Sequence, residues 1–265
     1  MRQLVLLLSI PLIAHDLYFL PPSFRVKPGE RVRVAFHNGD AFPTSETTAP
    51  IARLRDVQAI SKTGSMPITG LRESGKEVLG EAAFPGAGDI ILAARTSPNF
   101  IQLESAKFEE YLKEEGLDHV LQWRTEHGAS KLPGKERYSK YVKSLLLSGE
   151  STGFFNHVVG FTIEIVPEVN PSFLKAGEKL PIQVLFRGKP VPGIAVEAAF
   201  APVSGKTAAF LFMAATASKG PVCNCIVRYN TTPCKELFSK VLGRPWPAWF
   251  AEHNGRYVVL SGETW

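Results

Sequence analysis

The sequence predicts a mostly β protein of two β-sandwich, Ig-like modules, with a helical insertion in the first. Three observations carry this. Arg31-Val32-Arg33-Val34-Ala35-Phe36-His37 alternates polar and apolar side chains with a period of two, as a half-buried strand does. Just before it, Lys27-Pro28-Gly29-Glu30 places Pro and Gly where a type II turn needs a preset φ and a positive one, which predicts a hairpin between 24–26 and 32–36. The pattern also occurs twice: Pro22-Ser23-Phe24-Arg25-Val26-Lys27-Pro28-Gly29-Glu30 returns, one residue shorter, as Pro171-Ser172-Phe173-Leu174-Lys175-Ala176-Gly177-Glu178. Two copies are too few for a solenoid and fit two modules that open alike.

The boundaries follow from the chain in order. Residues 1–14 carry Arg2, an apolar run from Leu4 to Ile13 and the small Ala14, the order of a secretory signal peptide. The run is shorter than the roughly 20 residues of a membrane span, so the expectation is cleavage after Ala14, a periplasmic or secreted protein, and no membrane span once the signal is removed. The first module then covers 15–167 and the second 168–265. Within the first, Glu104 to Arg124 reads as an amphipathic helix broken near Gly116, with Phe108, Tyr111, Leu112, Val120 and Leu121 apolar among acids. A second helix is expected over Lys135 to Leu147, with Tyr138, Tyr141, Val142, Leu145 and Leu146 on one side. A strand over Val158 to Val166 closes the module, and Pro167-Glu168-Val169-Asn170-Pro171 is the linker.

In the second module, Ile182–Phe186, the turn Arg187-Gly188-Lys189-Pro190 and Ile194–Ala198 give strand and turn signals at sandwich spacing. Beyond about Gly205 the pattern fades. Ala208 to Ala217 is apolar without a clear period, and only Gly255 to Leu260 again reads as a strand.

Composition narrows the function. The 265 residues are 45% hydrophobic, with a formal net charge of +5 and a pI near 9.1. Lys and Arg are interspersed with Asp and Glu, so no basic stripe argues for nucleic acid. Cys223, Cys225 and Cys234 all lie in the last quarter and read as one disulfide or none in an exported chain. No Gly-x-Ser-x-Gly elbow, His-Glu-x-x-His or phosphate-binding glycine loop occurs, so the expectation is a protein that is not an enzyme.

Cleavage after Ala14 would make His15 the first residue, and its amine and imidazole could then close on one metal ion. Imidazole suits Ni, Co, Cu and Zn. His37 and Asp40 are the nearest further donors, one hairpin away, and His157 could approach the same end of the sandwich. Each has a plainer reading: His15 as a solvated chain end, His37 as a loop hydrogen-bonding residue, Asp40 as a turn cap, His157 as a surface histidine. The rival function is a cell-surface sandwich that makes protein or glycan contacts and holds no metal.

Several segments carry a resemblance. They are Ala14-His15-Asp16-Leu17-Tyr18, Phe36-His37-Asn38-Gly39-Asp40-Ala41-Phe42-Pro43, Phe108-Glu109-Glu110-Tyr111-Leu112-Lys113-Glu114-Glu115-Gly116-Leu117 and Gly160-Phe161-Thr162-Ile163-Glu164-Ile165-Val166-Pro167. On these the chain resembles the bacterial NikM-like family over about residues 14–200. The resemblance implies an extracytoplasmic β-sandwich protein that handles nickel or cobalt, with metal-uptake transporter components in the membrane as partners. After Lys206 the chain departs from that family's Thr-Asp-x-x-Gly turn and Gly-x-Trp strand.

Overall fold

The computed structural model describes residues 15–39, 41–84, 86–114, 117–174, 178, 180–191, 196–204, 207–216 and 256–264. The chain is mostly β, as expected, and the strands among the described residues form three sheets. The first sheet has the order β1 (Leu17–Phe19), β3 (Arg31–Asn38), β7 (Glu77–Ala83), β6 (Thr69–Ser74). The middle sheet runs β14 (Val196–Ser204), β15 (Thr207–Thr216), β16 (Arg256–Thr264), β10 (Gly134–Ser148), β8 (Gly88–Thr96), β4 (Leu54–Ser61), β5 (Gly64–Pro67). The third sheet is β11 (Ile163–Pro167), β12 (Ile182–Phe186), β13 (Lys189–Pro190).

At β8 and β10 the middle sheet is covered on both faces, and these two strands sort their side chains accordingly. Ile90, Leu92, Ala94, Val142 and Leu146 pack with Phe19, Val34, Phe36 and Val78 of the first sheet. Their neighbours Ile91, Ala93, Tyr141 and Leu145 point the other way and pack with Phe161, Ile163, Ile165 and Val184 against the third sheet. Burying one such side chain fully contributes about 1.5–3 kcal/mol, so β8 and β10 stabilise two cores at once.

This double burial overturns the helix expected over Lys135 to Leu147, which is strand β10. A strand covered on both faces is apolar nearly throughout, and over its length such a run matches a helical period as well as a strand's. Only at its start, where Lys135 and Arg137 are exposed and Gly134, Glu136 and Tyr138 are buried, does it alternate. There it pairs with β9 (Asn99–Leu103), which continues along the same side of β10 that β8 occupies further on. The helical insertion is α1 (Ser105–Glu114) and α2 (Asp118–Glu126), which cover Ile101 and Tyr138 with Phe108, Tyr111, Leu112 and Val120. The interruption expected near Gly116 falls between them. Among the described residues no helix is long and apolar enough to cross a membrane.

Two other expectations change. The turn at 27–30 forms, with Glu30 N–H donating to the Lys27 carbonyl at 3.0 Å and Gly29 at φ +81°, but it joins two sheets instead of making a hairpin. The preceding strand β2 (Arg25–Val26) pairs parallel to β10, whereas β3 pairs with β1 and β7. The strand expected over 158–166 begins only at Ile163, because the preceding amides turn to a side chain. Glu164 accepts from Val159 N at 2.7 Å, Gly160 N at 3.0 Å and Phe161 N at 3.2 Å.

The same carboxylate meets Lys143 of β10, Nζ to Oε1 2.5 Å, with both side chains essentially inaccessible to solvent. Burial lowers the Lys143 ammonium below its ordinary range and Glu164 opposes the shift. Asp89 fastens the neighbouring stretch: its carboxylate accepts from Ser151 Oγ at 2.8 Å, Phe154 N at 2.9 Å and Asn170 Nδ2 at 2.9 Å. The repeated motif also closes on itself, since Arg25 of the first copy donates to the Ser172 carbonyl of the second at 2.6 Å and lies over the Phe173 ring.

Removing one member of a buried pair strands the other charge, so Lys143→Ala or Glu164→Ala should each cost about 3–5 kcal/mol in urea unfolding, and Lys143→Met with Glu164→Leu should not recover it, because the amides of 159–161 then lose their acceptor. Equal stability of the single variants and the parent would contradict this. Glu136 offers a test of opposite kind. It is 3% exposed under the helices, and burial raises its pKa with the Tyr111 hydroxyl partly easing the shift. The unfolded chain ionises first as pH rises above the ordinary carboxylate range, so stability falls through that window until the folded group ionises too. Glu136→Gln should lack this fall, as measured by unfolding at a series of pH values.

Candidate metal-binding end

β1 and β3 run antiparallel with Tyr18 opposite His37 and Leu17 opposite Asn38. Gly39 N–H extends the ladder by donating to the Asp16 carbonyl at 3.0 Å. This register brings the segment around His15 to the end of β3, as the sequence suggests, although the pairing comes from β1 directly and not from the 24–36 hairpin. Leu17, Phe19 and Phe36 belong to the core, and the cross-strand pair Tyr18 and His37 stacks at 5.4 Å between centroids.

The chain leaving β3 folds back over this pair. Phe42 meets Tyr18 edge to face at 5.2 Å, and the Tyr18 hydroxyl donates to the Thr44 carbonyl at 3.1 Å. Glu46 N–H and Thr47 N–H both donate to the Asn38 carbonyl, Ser45 Oγ accepts from Asn38 N at 3.0 Å, and the same hydroxyl reaches the Lys76 carbonyl at 2.7 Å. The loop 41–49 is therefore tied to the ends of β3 and β7.

Two acids that sequence reasoning missed enter here. Glu46 of the loop places Oε2 3.3 Å from His15 Nδ1, and Glu77 of β7 places Oε1 3.7 Å from His37 Nε2. Tyr18 registers their convergence: its phenol is pushed well above the ordinary range, first by burial and then by the charges of Asp16, Glu46 and Glu77. His37 is 7% exposed, and its Nδ1 is buried without a hydrogen-bond partner. Burial lowers its pKa, with Glu77 opposing. No local motif marks Glu46 or Glu77, because the loop and the β3–β7 pairing that deliver them are long-range features.

Of the four residues expected to act together, the structure gathers two. His15 and His37 share this end. Asp40 lies outside the described residues. His157 stands elsewhere: it stacks on Phe154 at 4.3 Å, and its carbonyl accepts from Lys143 Nζ on the face of the middle sheet turned toward the third sheet. The middle sheet separates it from His37. Among the described residues no group of three His, Cys, Asp or Glu side chains stands ready to hold a metal ion. The cysteines also lie outside the described residues.

Residues 12–223 match the model of the domain of unknown function DUF4198, and the chain belongs to that family. No curated protein matches it. A solved structure described as FdeC, a broadly conserved Escherichia coli adhesin, is similar at 10% identity and a TM-score of 0.24, over 82% of this chain and 63% of that one.

The lowered pKa of His37 has a measurable consequence. Below about pH 6.5 the unfolded chain takes up a proton that the folded one resists, so stability is lost as pH falls. His37→Gln removes this component, and acid unfolding followed by circular dichroism should show the parent losing more stability than the variant between pH 7 and 5. Parallel pH profiles would refute the assignment.

Proposed function

We propose that the chain is an exported, non-catalytic protein that binds a transition-metal ion, nickel or cobalt, and delivers it to, or senses it for, uptake components in the membrane. The supporting observation is two histidine–carboxylate pairs, His15 with Glu46 and His37 with Glu77, at the end of the first sheet where His37 stacks on the buried Tyr18. Imidazole with carboxylate is a donor set that borderline divalent ions accept, whereas soft ions would call for thiolate. The unpartnered Nδ1 of His37 is a further nitrogen on the same strand pair. Cleavage after Ala14 would add the α-amine of His15. His157 is not among the proposed donors.

The rival reading is a surface sandwich that contacts protein or glycan without metal, and it draws on exposed aromatics such as Phe100 and Phe173. Calorimetric titration of Ni, Co, Cu and Zn separates the two. The chain beginning at His15 with a free amine should bind one ion, and one added N-terminal residue should weaken binding at least tenfold by blocking the chelate. Absence of binding in both forms would favour the rival.

A further inference from the structure

We infer that Glu46 is the carboxylate ligand that completes the chelate of His15, and that the loop 41–49 exists to hold it there. The inference rests on the metal-binding reading above and adds to it a specific ligand and a reason for the loop. A terminal histidine closes a six-membered ring through its amine and Nδ1, since Nε2 lies too far from the amine to share one ion. Nδ1 is the atom that faces Glu46, at 3.3 Å. Two donors each about 2.1 Å from a square-planar nickel ion stand about 3.0 Å apart at its 90° angle, so a shift of a few tenths of an ångström from the observed 3.3 Å lets one ion bind both.

The loop's placement supports the same role. Glu46 is held at its backbone by the Asn38 carbonyl and flanked by Ser45, which bridges Asn38 N to the Lys76 carbonyl. The close approach depends on Gly39. A Cβ there would lie 2.7 Å from the Thr44 carbonyl and 2.9 Å from both Glu46 Cγ and Glu46 N, so any larger residue pushes the carboxylate away. Glu46 and His15 are only partly buried, at 35% and 23% of side-chain area, which lets an ion reach them from solvent. Amine, imidazole and one carboxylate leave at least one coordination position open, where water or an incoming ligand can bind.

The test is titration of NiCl2 into the chain beginning at His15, followed by calorimetry, for the parent, Glu46→Gln, Gly39→Ala and the surface control Glu81→Gln. Thermal melts confirm that each is folded. Glu46→Gln keeps the size and hydrogen-bonding reach of the side chain and should lose at least tenfold in affinity. Gly39→Ala, a positioning variant, should lose affinity with Glu46 intact, and Glu81→Gln should match the parent. If the parent binds nickel and Glu46→Gln binds it within twofold, the ligand assignment falls while the metal reading stands. If the parent binds none, both fall.

Discussion

The central constraint of this fold is that the middle sheet is buried on both faces at two of its strands. β8 and β10 cannot alternate core and solvent as an ordinary sandwich strand does, because the first sheet covers one side and the third sheet and its loops cover the other. The cost appears as polar groups trapped in the middle layer: Lys143, Ser144, Ser148 and Asp89 are all buried. Each charge needs a partner there, since an unpaired ion in a low-dielectric interior is strongly destabilising. Lys143 finds Glu164, and Asp89 finds a hydroxyl, two backbone amides and the Asn170 side chain.

These pairings shape what covers the sheet. The stretch 149–162 between β10 and β11 has no ladder to satisfy its amides, and the two acids satisfy five of them, 152 and 154 at Asp89 and 159–161 at Glu164. Glu164 in particular does three jobs with two oxygens: it neutralises Lys143, takes the amides of 159–161, and thereby fixes where β11 begins. Glu136, under the helices, is the contrasting case. It is buried with only Tyr111 to ease it, so the helical cover and the carboxylate are in tension at neutral pH.

Local signals were legible in the sequence and long-range ones were not. The strand over 31–37, the Pro-Gly turn at 27–30 and the break in the helical insertion all reappear in the structure, because each is set by a few adjacent residues, although the strand alternates only over 31–34 and buries Ala35 and His37 as well. The partner of each strand was not readable. The turn at 27–30 carries the chain to another sheet, and nothing in residues 24–36 distinguishes that from a hairpin. β10 was mistaken for a helix because burial on both faces erases the alternation that identifies a strand. At the candidate site, His15 and His37 were found from residue type and the nearness of their segments, while Glu46 and Glu77 required the loop and the β3–β7 register. A place beside a strand groups His157 with them by sequence, and only the long-range layering puts the middle sheet between.

The candidate metal-binding end follows the same logic on a smaller scale. Tyr18 and His37 form a buried cross-strand pair, the loop after β3 covers it, and that cover carries a carboxylate to the imidazole of His15. The account requires that this imidazole and the chain's amine belong to one residue. The most direct measurement is the mass of the chain recovered after export from cells expressing all 265 residues. A mature species starting at His15 is the predicted result, and one that keeps any residue before His15, or starts after it, would contradict the account.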